Sequence, residues 1–231
     1  MFRTLISKEF LEQRRTSKVL VMFIVFFVVG LISPLLAKYT PVLLRMVPDL
    51  PADFAALIPE PTLTDAIGQY LKNANQFGIL LVLVLTMGLV AQEKERGTAA
   101  MLLIKPIRRS SVVLAKWAAS MGVLLASLVI AATACYIYTA LLFEPLPVGE
   151  FALLNVLLWA YLSVYLTVAL LASTLARSQT MAAAGAFGGL VILLILGAIP
   201  RVNDFMPGKL LEWGAQVVLG GDKSYWSALI A

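Results

Sequence analysis

The chain has 231 residues, of which 61% are hydrophobic and 13% charged, with a net charge of +5 and a mean hydropathy of +0.91. Soluble domains carry about 45–50% apolar and about 25% charged residues, so this composition predicts an integral membrane protein with one membrane domain. The chain has no His, the commonest general base and metal ligand, and its single Cys135 excludes a disulfide framework.

Residues 1–17 predict an amphipathic helix on the membrane surface. Apolar side chains recur at helical spacing, and charged side chains fill the other face. The apolar residues are Phe2, Leu5, Ile6 and Phe10, and the charged residues are Arg3, Lys8, Glu12 and Arg15. The stretch lacks the pattern of a signal peptide. The alternative is a cytosolic helical extension of the first membrane span.

Five apolar runs are long enough to cross a bilayer, which takes about 20 residues. They are Val19 to Ala37, Ala74 to Ala91, Val112 to Phe143, Phe151 to Ala176 and Thr180 to Pro200. None of them contains Asp, Glu or Arg, and their one Lys is Lys116, near the start of the third run. A sixth run starts at residue 225 and ends with the sequence at Ala231, so we expect a truncated sixth helix.

The charges of the connecting segments predict the orientation. With the N-terminus in the cytoplasm, the inside carries 12 of the 18 Lys and Arg residues but only four of the 13 Asp and Glu residues. The net charge is then +8 inside and −3 outside, a distribution typical of a membrane protein rather than a nucleic-acid-binding protein. The outer loops are residues 38–73 and 201–224, with short helices predicted over Leu63 to Leu71 and Leu210 to Leu219.

The densest charge cluster lies between the second and third runs. Residues 92–98 are Gln-Glu-Lys-Glu-Arg-Gly-Thr, and residues 105–109 are Lys-Pro-Ile-Arg-Arg. Gly97 permits a turn, Thr98 can cap a short helix from Ala99 to Ile104, and Pro106 ends that helix. We interpret the segment as a docking site for a soluble partner. The alternative is a loop that only fixes topology, but such a loop needs neither two Glu residues nor a short apolar helix.

These features resemble the ABC-2-type permeases, the membrane subunits of a class of ATP-binding-cassette exporters. The resemblance covers nearly the whole chain in topology and is specific in residues 92–116. It implies an all-α integral membrane protein with a six-helix, type V exporter-like transmembrane domain over residues 18–231 and an N-terminal amphipathic elbow helix. It also implies that a cytoplasmic coupling segment, residues 92–111, contacts an ATPase subunit. The expected contacts are Glu93, Lys94, Glu95, Arg96, Gly97, Thr98, Lys105, Pro106, Arg108 and Arg109.

The resemblance implies an exporter subunit in the cytoplasmic membrane of a prokaryote. Its partners would be two ABC ATPase subunits and a second permease copy or a related permease, with ATP and Mg on the ATPase. The chain has no G-x-x-x-x-G-K-[ST] motif, so we expect no cofactor, no metal and no catalytic residue in it. The alternative function is a non-transporting scaffold or sensor of an envelope complex. An intramembrane enzyme is disfavoured because the runs lack His and Asp.

Two smaller features allow two interpretations each. Gly185 and Gly189 form a G-x-x-x-G pattern, with Gly188 beside it, that suits packing within the subunit or a moving subunit interface. Arg177 lies in a short turn after the fourth run and is either a minor ATPase contact or a residue that sets topology. The substrate is not identified, although the apolar spans suit a lipid-like, peptide or drug cargo.

Overall fold

The structure is a computed structural model that describes residues 2–45, 60–98 and 108–220. Within these residues, five helices are long and apolar enough to cross a membrane. These are α2 (Lys18–Arg45), α3 (Leu63–Thr86), α5 (Arg109–Leu142), α6 (Val148–Leu175) and α7 (Gln179–Gly197). The shorter helices are α1 (Phe2–Arg15), α4 (Ala91–Glu95), α8 (Pro200–Asn203) and α9 (Gly208–Val218). The prediction of an all-helical protein with several membrane spans is confirmed.

The core lies where α2, α3, α5 and α6 meet. Helix α2 packs along α5 and α3, and α6 contacts α3, α5, α7 and α9. Phe26, Tyr70, Leu158 and Leu162 are almost completely buried at this junction. By contrast, only 11% of the most apolar 18-residue stretch of α7 is buried inside the bundle, so most of this helix presents apolar side chains outward.

Helices α2 and α5 approach each other closely at Gly30. A Cβ atom at this position would lie 2.3 Å from the carbonyl oxygen of Ala131. A real Cβ does not tolerate such a distance, so only glycine allows the two backbones to meet here. This contact was not predicted from the sequence.

Residues 63–71 were predicted as a separate short helix, but they form the first turns of α3. The polar residues that follow do not interrupt the helix because other helices satisfy them. Asn73 donates to the hydroxyl of Ser33 on α2 at 3.0 Å, and Asn75 accepts from the hydroxyl of Tyr161 on α6 at 2.6 Å. Such bonds between helices replace the water that is absent inside a membrane.

Helix α2 runs beyond the predicted end at Ala37, past Pro34 and Pro41 to Arg45, and membrane helices tolerate proline. The helix predicted from residue 210 forms as α9. The fifth span ends at Gly197, and Pro200 begins α8 instead. The sixth run that starts at residue 225 lies outside the described residues.

Candidate functional site

One end of the helix bundle carries a dense cluster of charged side chains. It comprises α1, α4, the first two turns of α5 and the turn between α6 and α7, residues 176–178. We call it the charged end. Its elements are far apart in sequence, and ion pairs and hydrogen bonds between them hold them together.

Lys116 of α5 lies at the centre of the charged end. Its side chain is 1% exposed, and its Nζ lies 2.8 Å from Glu9 Oε2 of α1 and 2.7 Å from Glu93 Oε1 of α4. A buried ammonium group is costly unless carboxylates neutralise it and accept its hydrogen bonds. Lys116 therefore joins the N-terminal helix, the coupling segment and the third span in one buried ion-pair triad.

A second lysine, Lys8, lies on the exposed side of this triad. Lys8 Nζ lies 3.0 Å from Glu9 Oε1, 2.9 Å from Glu12 Oε2 and 3.7 Å from Glu93 Oε1. Burial disfavours the charge of Lys8, but hydrogen bonds to Glu12 and Glu9 outweigh it and raise its pKa. Burial likewise disfavours the charge of Glu12, yet the hydrogen bond from Lys8 and the charge of Lys116 lower its pKa.

The pKa shifts of Lys8 and Glu12, which pair within α1, predict how the stability of this helix depends on pH. The lowered pKa of Glu12 contributes stability above its ordinary value of 4.5, and this is lost as the pH falls through the folded value. The raised pKa of Lys8 contributes stability below its ordinary value of 10.5, and this is lost as the pH rises through the folded value. This contribution to the stability of α1 should therefore be constant between about pH 4.5 and about pH 10.5 and weaken on either side.

A spin label at Ser7, an exposed residue of α1, would measure the order of this helix as label mobility. Both side chains of the Lys8–Glu12 pair are more than two-fifths exposed, so the change should correspond to less than about 1 kcal/mol. Lys8→Gln should raise the label mobility between about pH 4.5 and about pH 10.5, and it should make the mobility less dependent on pH outside this range. A mobility that changes steeply near neutral pH would contradict the prediction.

The carboxylates of the charged end also have a spacing that a metal ion accepts. Oxygens of Glu9, Glu12 and Glu93 all lie within 4.8 Å of one another. The ammonium groups of Lys8 and Lys116 already lie among them and make ion pairs with them. The arrangement fits two lysines as the counter-ions, and we assign no metal to it.

The next two residues of the coupling segment bind the ends of α6 and α7. Lys94 Nζ donates to the backbone carbonyls of Thr174 and Ala176, the latter at 3.2 Å. Glu95 Oε2 accepts a hydrogen bond from the backbone N–H of Gln179 at 3.0 Å. A cation at the C-terminal end of α6 and an anion at the N-terminal end of α7 both match the helix dipoles. Residues 93–95 thus contact α1, α5, α6 and α7 together.

The structure also places the other predicted contact residues. Gly97 has φ +73°, so the predicted turn at this residue is present. The hydroxyl of Thr98 donates back to the carbonyl of Glu93 at 3.2 Å. Four basic residues of the predicted surface are exposed: Arg96, Arg108, Arg109 and Arg177. Lys105, Pro106 and the helix predicted from Ala99 to Ile104 lie outside the described residues.

The three glycines of α7 have different surroundings. A Cβ at Gly185 would lie 3.1 Å from Ala172 Cβ, and one at Gly189 would lie 2.5 Å from Val168 Cγ1. Both glycines therefore pack against α6 of the same chain. A Cβ at Gly188 would meet no atom within 4 Å in the described part of the chain.

The central role of Lys116 and its partner Glu9 was not predicted from the sequence. There, Lys116 was only a charge near the start of a span, and Glu9 was one of four acids on the inside. A signal was nevertheless present, because an ionisable residue within an apolar run is expensive and needs a partner. The sequence did not show which carboxylate that partner is.

The family of the chain follows from a match that covers most of its length. The profile of the ABC-2 family transporter proteins matches residues 3–203. The chain belongs to this family. The ABC-2 chain is also 25% identical over 221 residues to "Uncharacterized transmembrane protein YxlG" of Bacillus subtilis (strain 168), which covers 95% of this chain and 86% of that protein. No solved structure matches the chain.

Family membership indicates the class of protein to which the ABC-2 chain belongs and the partner that such proteins generally have. It is a multi-pass membrane protein, as the five apolar helices of the described residues also indicate. The family consists of transmembrane components that are not themselves catalytic, and its members generally pair with an ABC ATPase subunit. The resemblance inferred from residues 92–116 is therefore confirmed.

Proposed function

We propose that this ABC-2 chain is the membrane-spanning subunit of an ABC exporter, driven by ATP hydrolysis in a separate subunit. The observation that carries the proposal is the position of residues 93–95. They lie at one end of the bundle and contact four helices, three of them membrane spans. A force applied to this segment acts on several spans at once, which an ATP-driven permease requires.

We place the charged end in the cytoplasm, in the cytoplasmic membrane of a prokaryote. The excess of Lys and Arg in the segments at this end supports that orientation. The exposed side chains of Arg96, Arg108, Arg109 and Arg177 then face the compartment that contains ATP and the ATPase. In this proposal the N-terminal helix α1 is the elbow helix and residues 92–111 are the coupling segment.

The proposed mechanism is mechanical. Two ATPase subunits, which bind ATP and Mg, dock beneath two permease copies or one copy and a related permease. Closure of the ATPase dimer moves the coupling segment, and residues 93–95 pass this motion to α5, α6 and α7. Nucleotide supplies the difference in contact energy between the two states, because a ligand shifts an equilibrium only through differential binding. The chain itself contributes no catalytic group to hydrolysis.

The docking surface predicts an effect of charge reversal. The double variant Arg96→Glu/Arg109→Glu should reduce co-purification of the ATPase by about tenfold or more, a loss of about 1.4 kcal/mol in affinity. Both side chains are exposed, so the chain should fold normally. The measurement is quantitative mass spectrometry of proteins purified with the tagged chain from native membranes.

Arg201→Glu is the matched control, since Arg201 is an exposed arginine in α8 at the opposite end of α7. It should leave ATPase recovery unchanged. The alternative function, a non-transporting scaffold or sensor of an envelope complex, requires no ATPase. Purification of the unaltered chain without any ATPase would support that alternative over the exporter.

A further inference from the structure

We propose that the two carboxylates around Lys116 have unequal roles: Glu9 is its fixed counter-ion, and Glu93 is a releasable contact that positions the coupling segment. The idea extends the proposed function, since it states which contact changes when the coupling segment moves. Neither residue touches substrate or nucleotide in this view. Both act as positioning residues.

Glu9 is held more firmly than Glu93. Its side chain is 3% exposed, whereas that of Glu93 is 15% exposed. One turn further along the same two helices, Gln13 Nε2 donates to Ser120 Oγ at 3.0 Å in a buried hydrogen bond. The pairs Glu9–Lys116 and Gln13–Ser120 therefore fasten α1 to α5 at two successive points.

Glu93 belongs to a much smaller element. Helix α4 has five residues and is followed directly by the turn at Gly97. Residues 94–98 are all exposed. Ala91 is the one buried residue of α4, so movement of this short helix uncovers little apolar surface.

The surrounding charges allow Glu93 to separate from Lys116. Removal of the last counter-ion from a buried ammonium group is strongly unfavourable. Lys116 has two, so it retains Glu9 at 2.8 Å when Glu93 moves away. Lys8 Nζ lies 3.7 Å from Glu93 Oε1, and the Lys8 side chain is 43% exposed, so this lysine can follow the departing carboxylate. The moving residue then keeps a partner, and the buried residue keeps its neutrality.

The experiment compares Glu93→Gln with Glu9→Gln, two isosteric changes that each remove one negative charge from the triad. A spin label at Arg96→Cys reports the motion of the coupling segment, and one at Ser7→Cys reports that of α1, both on the purified chain in nanodiscs. Native Cys135 is buried, so the spin-label reagent should react with the introduced cysteine instead. Thermal unfolding of the unlabelled variants gives their stability.

We expect Glu93→Gln to raise mobility at position 96 while the melting temperature falls by less than about 3 °C. Glu9→Gln should raise mobility at position 7 and lower the melting temperature by about 5–10 °C. Glu93→Asp, which keeps the charge, should restore much of the order at position 96. Equal melting losses in the two Gln variants, or unchanged mobility at position 96 in Glu93→Gln, would overturn the inference.

A second measurement separates this inference from the proposed function. With the co-purified ATPase present, Glu93→Gln should lower the stimulation of ATP hydrolysis by the permease at least about fivefold. If the asymmetry is found in the chain alone but no ATPase binds the unaltered chain, the exporter proposal fails and the roles of Glu9 and Glu93 stand. If the ATPase binds and couples normally in Glu93→Gln, the releasable contact is refuted and the exporter stands.

Discussion

Replacement of Lys116 by methionine is expected to destabilise the chain by about 3–5 kcal/mol, the cost of removing one partner from a buried ion pair. Methionine has a similar length and suits the apolar surroundings, so little of this loss comes from packing. The loss arises because Glu9, 3% exposed, would keep a carboxylate without its buried cation. Chemical or thermal unfolding of the purified chain measures the effect.

A rescue variant tests whether charge is the cause. Glu9→Met/Lys116→Met removes the two most buried members of the triad and leaves Glu93, which is 15% exposed, with Lys8. Replacements of buried ion pairs by apolar residues are often neutral or stabilising. We expect the double variant to recover most of the stability lost in the single variant. Lys72→Met, at an exposed position of α3, is the control and should change stability by less than about 0.5 kcal/mol. A double variant as unstable as Lys116→Met would contradict the ion-pair account.

The membrane helices could be predicted from the sequence because each is determined by the composition of one continuous segment. A run of about 20 apolar residues is sufficient to define a span. The turn at Gly97 was also predictable, since glycine is the residue that adopts positive φ at little cost. Ends of helices were less predictable, because Pro41 and Asn73 look like helix breakers until their tertiary surroundings are known.

The centre of the charged end could not be predicted in the same way. Glu9 and Lys116 are 107 residues apart, and their pairing depends on the rotation and neighbours of two helices. The same holds for Lys94 and Glu95, whose partners lie at the ends of α6 and α7. Residues 92–98 were interpreted from the sequence as a charge cluster that docks on a soluble partner, with Glu93 among its contact residues. The structure shows that Glu93 faces inward to Lys116.

The close contact of α2 and α5 predicts a second large effect. Gly30→Ala should destabilise the chain by an amount at the upper end of the range of about 1–3 kcal/mol typical of overpacking. This outcome opposes helix propensity, which favours alanine over glycine by about 1 kcal/mol. Gly122→Ala in α5 is the control, since a Cβ there meets no atom within 4 Å among the described residues. It should be neutral or stabilising.

A second substitution can relieve the clash of an added Cβ only if it removes the atom that the Cβ meets. At Gly30 the obstacle is a backbone carbonyl oxygen, so Ala131→Gly removes nothing that clashes and should not rescue Gly30→Ala. At Gly189 the obstacle is the Cγ1 methyl of Val168, 2.5 Å from the added Cβ, so Val168→Ala should rescue Gly189→Ala. Unfolding measurements on the four variants test both statements. Rescue of Gly30→Ala by Ala131→Gly would show that α2 and α5 do not meet through their backbones. Since α5 carries Lys116, a shift of α5 at Gly30→Ala should also loosen the spin label on α1.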